Sequence, residues 1–172
     1  GTVITLAGDP IQNGVIVIEG GRITAVGAAD DVQIPWDATV IDQPNLVAFP
    51  GFVEAHVSSG IDRANETLDV APFLNVRDSI DPVNFYFEEA LRNGILTINV
   101  QQGNDTVVAG QGMIVKPFGM TVEQMMVRPR SGVKMSAAPK RGKTRATQAQ
   151  ALRGAFGDLR MYLEDMVQRK KD

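Results

Sequence analysis

The chain has 172 residues, of which 44% are hydrophobic and 22% charged, a balance typical of one folded domain rather than a disordered segment. It contains no cysteine and a single histidine, His56, which excludes disulfides, thiolate zinc sites and any metal centre built from several imidazoles of this chain. The longest apolar run covers residues 46–53, and because a bilayer takes about 20 residues to cross, we expect no membrane partner. The lack of cysteine permits the cytoplasm, which we favour slightly, but it does not assign a compartment.

The net charge of −3 combines two unlike segments. Residues 1–127 carry five basic and sixteen acidic side chains, whereas residues 128–172 carry twelve basic and four acidic ones. Acidic residues interrupt the basic segment, so we interpret it as the solvated face of a helix rather than a nucleic-acid site. Docking against an acidic surface is the alternative.

Residues 1–48 read as short strands separated by turn residues. Runs rich in β-branched residues occupy 2–6, 15–18, 22–26 and 38–42, and none of them has a helical period. We therefore expect residues 1–48 to form a small antiparallel β-sandwich portion.

From residue 49 onward the pattern becomes α/β. A strand near 52–57, a helix over 82–93 that begins with the N-cap Asp81, and a strand over 95–100 form half of a βαβ crossover, the unit of parallel sheets. Further elements are expected in the same segment: short strands at 113–115 and 133–135, a helical turn at 121–126, and an amphipathic helix over 144–170.

Polar residues follow two of the predicted strands, and parallel α/β sheets carry their functional groups at the carboxyl ends of strands. His56 ends the first strand, where it could bind a ligand or satisfy a structural hydrogen bond. Gln102 and Asn104 follow the second strand and could bind substrate or cap the loop. Residues 110–112 lack the third glycine of a dinucleotide-binding loop. Lys116 is expected to be a surface or salt-bridge lysine.

Three segments together resemble the opening of the amidohydrolase superfamily, in its imidazolonepropionase-like branch. These segments are residues 14–27, 40–42 and 49–56, the last of which reads FPGFVEAH. The resemblance is specific between residues 14 and 60 and looser up to about residue 150. It implies a β-sandwich followed by a metal-dependent TIM-like (β/α) barrel, with residues 49–172 as the incomplete first part of that barrel.

The same resemblance implies a metal site that this chain leaves incomplete. His56 matches the first histidine of the family's paired HxH motif and is thereby implied as a metal ligand, but the second position is Ser58, and Glu54 replaces the usual aspartate. The family's other ligands come from later barrel strands. We therefore expect a zinc-like divalent metal in the full-length protein but no tight metal binding by this chain alone. We assign no catalytic residue.

These observations predict the N-terminal fragment of a hydrolase that acts on carbon–nitrogen bonds of non-peptide amides or cyclic amides. Its expected partners are a small amide-type substrate and either the remainder of the barrel or another chain. We expect the chain alone to be inactive. The alternative is a non-catalytic, amidohydrolase-like binding or assembly subunit, which Ser58 favours.

Overall fold

The structure is a computed structural model that describes residues 1–170. The chain divides into two compact units, Gly1–Gly51 and the segment that begins at Phe52. Among the described residues, no helix combines the length and the apolar character that crossing a membrane requires.

The first unit contains two separate two-stranded sheets. Strands β2 (Gly14–Glu19) and β3 (Arg22–Ala28) form an antiparallel hairpin, while β1 (Thr2–Val3) and β4 (Val47–Ala48) pair in parallel. Gly20 and Gly21 form the two-residue hairpin turn with φ angles of 55° and 76°, a conformation that glycine adopts without strain. Residues with a strong strand and turn pattern therefore fold as their local sequence indicates.

Two expectations for this unit are wrong. Residues 38–42 form no strand, and β1 pairs with β4 in parallel, so the unit is not wholly antiparallel. Val40 and Ile41 are exposed, at 65% and 81% of their surface, which explains the first error: strand propensity reflects packing on a sheet, and here no sheet is available to these side chains.

The second unit is a mixed α/β fold built on one four-stranded sheet. Its strands are β5 (Phe52–Val57), β6 (Ile95–Val100), β7 (Val108–Val115) and β8 (Met126–Met135), in that spatial order. The helices are α1 (Phe85–Arg92), α2 (Val122–Met125) and α3 (Arg145–Arg169), with a 3-10 turn at Val76–Asp78.

The order of the sheet differs from that of a parallel barrel. Strands β5 and β6 are parallel and are joined by α1, as the crossover pattern predicts, but β6 with β7 and β7 with β8 pair antiparallel. The α/β class is therefore confirmed, whereas the partial (β/α) barrel stays a prediction. Residues 110–112 lie inside β7 rather than before it.

Helix α1 begins later than the sequence predicts. Asn84, not Asp81, is the N-cap: its side chain accepts a hydrogen bond from the backbone N–H of Tyr86. The Asp81 carboxylate accepts from Val83 N–H instead, which places Pro82 in a turn before the helix. Both residues have suitable cap chemistry, and the turn decides between them.

The core of the second unit lies between one face of the sheet and α1, α2 and the 3-10 turn. Its ten buried members are Ile61, Val76, Ile80, Phe87, Ala90, Ile98, Val100, Met113, Val115 and Met125. Helix α3 contributes none of them. Its only buried residue is Gln148, and the apolar positions of its later turns are exposed, so the expected amphipathic helix forms without a covering partner among the described residues.

Candidate functional site

The carboxyl ends of β5 and β6 meet the amino end of β7 and the carboxyl end of β8 at one edge of the sheet. His56 lies at this edge on an irregular part of β5. Glu54 pairs with Ile98 and Val57 with Val100, so three steps on β5 match two on β6 and form a β-bulge. A bulge re-aims side chains and interrupts the regular alternation of a strand. The bulge therefore sets the direction of His56.

Lys134, near the end of β8, connects His56 to the loop that follows β6. Its Nζ lies 2.7 Å from His56 Nε2 and donates a 2.8 Å hydrogen bond to the backbone carbonyl of Gln102. A lysine ammonium can only donate, so His56 Nε2 is the acceptor and the ring proton is on Nδ1. The structure thus brings His56 and the loop after β6 to the same place, as strand polarity predicts.

Lys134 is the residue that sequence reasoning missed. It is half-buried, and this burial lowers its pKa from the ordinary value because desolvation disfavours the charged form. Among residues 1–170, no carboxylate forms an ion pair with it. One lysine in a basic segment carries no distinguishing sequence signal.

The two predicted substrate-binding residues occupy different environments. Gln102 is 6% exposed, and its Oε1 accepts a 2.7 Å hydrogen bond from Gly110 N–H. This contact fixes the carbonyl that Lys134 binds. Asn104 is exposed in the loop two residues later. Their role in substrate binding stays a prediction, with Asn104 the more accessible of the two.

The sheet face opposite the core is polar next to the site. Thr97, Asn99 and Gln101 alternate with the buried Ile98 and Val100 of β6. Lys116, expected to be a surface or salt-bridge lysine, is half-buried and donates to Thr97 Oγ1 at 2.8 Å. Asn99 Nδ2 donates to the carbonyl of Ala55, the neighbour of His56, while its Oδ1 is buried without a partner in the described part of the chain.

The donor set does not fit a catalytic metal ion. Such sites use three protein ligands, and residues 1–170 contain no group of three His, Cys, Asp or Glu side chains placed to hold one. The Nε2 lone pair of His56 is moreover engaged by Lys134. The metal role of His56 stays a prediction that would need a rearranged Lys134 and further ligands.

Two curated proteins and one solved structure are similar to this chain. No protein-family model matches the chain. Over 72 residues, 41% of this chain, it is 36% identical to a 5-methylthioadenosine/S-adenosylhomocysteine deaminase from Moorella thermoacetica. Over 53 residues, 31% of this chain, it is 43% identical to a 5'-deoxyadenosine deaminase from Methanococcoides burtonii. The matched stretches span only 17% and 12% of these two relatives.

A solved structure extends the likeness to nearly the whole chain. An amidohydrolase from Thermotoga maritima MSB8 matches with a TM-score of 0.90 and 26% identity, over 99% of this chain and 49% of that one. The fold, the deaminase relatives and the FPGFVEAH segment that ends in His56 all support membership of the amidohydrolase superfamily.

Proposed function

We propose that the chain is the N-terminal portion of a protein that hydrolyses carbon–nitrogen bonds in a small molecule. The observation that carries the proposal is the match of 99% of this chain to 49% of the Thermotoga amidohydrolase. The two sequence relatives are deaminases by name. The substrate classes to consider are therefore amides, cyclic amides and aminopurine nucleosides.

In this proposal the described residues position a substrate and do not complete the reaction. Hydrolysis of a carbon–nitrogen bond needs an activated water and a proton donor for the leaving nitrogen. At the carboxyl edge of the sheet the chain supplies one imidazole, already hydrogen-bonded to Lys134, and the exposed amide of Asn104. The groups that activate water would have to come from the remainder of a barrel or from another chain.

Hydrolysis is the direct test, followed as ammonia release from primary amides and 5'-deoxyadenosine and as ring opening of cyclic amides. It is measured side by side on the natural gene product, at the length that its gene encodes, and on the 172-residue chain. The panel contains simple amides, cyclic amides and 5'-deoxyadenosine. We expect the natural product to turn over a substrate of this panel and His56→Ala to lower the turnover rate at least about tenfold. A loss of this size corresponds to roughly one hydrogen bond that stabilises the transition state. The control Gln150→Ala, at an exposed position of α3, should match the wild type.

The second candidate is a non-catalytic binding or assembly subunit. It is favoured by the Lys134–His56 hydrogen bond, which occupies the imidazole nitrogen, and by Ser58 in place of a second histidine. Ligand binding by the natural product without hydrolysis of any substrate in the panel would replace the hydrolase proposal with this one.

A further inference from the structure

We propose that Lys134 and His56 form the binding site of a small carboxylate at the carboxyl edge of the sheet. The Lys134 ammonium is the group that binds the anion, and His56 is a positioning residue that holds the ammonium in place. This assignment concerns binding alone and does not depend on turnover.

The first argument is the incomplete set of partners around Lys134. A lysine ammonium has three N–H donors, and here His56 Nε2 and the Gln102 carbonyl take two of them at 2.7 and 2.8 Å. Both acceptors are uncharged. A half-buried charge is costly without a counter-ion, and no Asp or Glu of the described residues supplies one. An anionic ligand would use the third donor and neutralise the charge.

The second argument is rigidity. The Gln102 carbonyl is fixed because the buried side chain of Gln102 binds Gly110 N–H at 2.7 Å. His56 is directed by the bulge of β5, whose neighbouring carbonyl at Ala55 accepts from Asn99. The anchored carbonyl of Gln102 and the imidazole of His56 together restrict the positions open to the long and otherwise flexible lysine side chain. Such preorganisation lowers the entropic cost of binding a ligand.

Charge decides the class of anion. One ammonium neutralises one negative charge, which is the charge of a carboxylate at neutral pH. A phosphate dianion would retain an uncompensated negative charge at this half-buried position. We therefore assign a monocarboxylate rather than a phosphate.

The single histidine gives the test an unambiguous signal, because one imidazole accounts for every histidine resonance of the chain. Acetate replaces chloride at constant ionic strength while the ¹⁵N and ¹³C resonances of the His56 ring are followed. We expect a saturable shift with a dissociation constant on the order of 10 to 100 mM, because one charge-assisted hydrogen bond is a modest interaction. Acetamide, the neutral analogue, and phosphate should produce at most about a tenth of the effect.

Two lysine variants identify the group that binds the anion. Lys134→Met should abolish the saturable shift, and Lys116→Met, which removes a lysine bound to Thr97 instead, should leave it unchanged. A shift that survives in Lys134→Met, an equal response to acetamide, or no saturable shift in the wild type would each overturn the assignment. If Lys134→Met does not fold, the comparison of acetate with acetamide on the wild type still decides the question.

Discussion

Lys134 Nζ and His56 Nε2 lie 2.7 Å apart, although the two residues are 78 positions apart in the sequence and stand on the two outer strands of the sheet. Because the lysine can only donate, this contact dictates which nitrogen of His56 carries the proton. The only histidine of the chain is thereby held in one tautomer by a residue that no motif connects to it.

We predict that His56 is protonated on Nδ1, with Nε2 free of a proton and accepting a hydrogen bond. Long-range ¹H–¹⁵N correlation spectra of the single imidazole distinguish the two tautomers directly. In Lys134→Met the populations should move toward a mixture, since the contact that selects one form is gone. A dominant Nε2–H form in the wild type would contradict the geometry of the site.

We expect the chain to bind zinc weakly, with no one-to-one site in the micromolar range by calorimetry. One imidazole engaged by Lys134 cannot replace the three protein ligands of a catalytic site. The double variant Ser58→His/Lys134→Met frees Nε2 and adds a second imidazole, and it should bind zinc at least about tenfold more tightly than the wild type. Each single variant is the matched control. Micromolar binding by the wild type that disappears in His56→Ala would show an unrecognised ligand.

Asp69 should contribute stability that depends on pH. Hydrogen bonds from Lys143, at 2.6 Å, and Lys140, at 3.0 Å, lower the pKa of Asp69 below its ordinary value of 3.8. A carboxyl group with a lowered folded-state pKa stabilises the fold above its unfolded pKa and loses this contribution as the pH falls through the folded value. Asp69→Asn should therefore cost about 0.5 to 1 kcal/mol at pH 7, as measured by urea unfolding, and this cost should shrink as the pH falls below the ordinary pKa of the carboxyl group.

The control for this prediction is Asp158→Asn, an exposed position of α3 without an ion pair in the described chain. It should leave both the stability and its pH profile unchanged. A loss of stability in Asp69→Asn that is equal at pH 2 and pH 7 would mean that the ion pairs are not its cause.

Gly60 should tolerate no side chain. Its φ of +78° is unfavourable for other residues, and a Cβ there would lie 2.5 Å from Cζ of the buried Phe87. Gly60→Ala should lower the free energy of unfolding by about 2 to 4 kcal/mol through backbone strain and overpacking. Gly142→Ala is the matched control. The φ of Gly142 is +84°, but a Cβ added there would meet no atom within 4 Å outside its chain neighbours, so only about 1 to 2 kcal/mol of backbone strain is expected. Equal losses would remove the steric argument.

Gln148 should anchor the first turns of α3. It is 1% exposed, its Nε2 donates to the Ser136 carbonyl at 2.9 Å, and its Oε1 accepts from Lys140 N–H. Gln148→Ala leaves the carbonyl of the buried Ser136 and the N–H of the half-buried Lys140 without this partner and should cost about 2 to 3 kcal/mol. Amide hydrogen exchange should accelerate over residues 136–148 in Gln148→Ala. The control Gln150→Ala, at an exposed position two residues further along α3, should not change the exchange rates.

Much of the local structure follows from the sequence. The paired glycines at 20 and 21 define a hairpin turn, and the helix-to-strand pattern across Gly94 gives the α1–β6 unit. The helical segments predicted at 121–126 and 144–170 correspond to α2 and α3. The FPGFVEAH segment also places His56 at a strand end and indicates the family. These features depend on residues close together in the chain, whose conformational preferences act locally.

Strand pairing and the neighbours of His56 were decided by tertiary structure. Parallel and antiparallel strands share the same alternation, so the sequence of β7 does not reveal that it runs against β6. The β-branched run at 38–42 stays outside every sheet because no partner strand covers it. Lys134 reaches His56 because the carboxyl ends of the outer strands β5 and β8 lie at the same end of the sheet, and a contact across 78 residues leaves no periodic trace in the sequence.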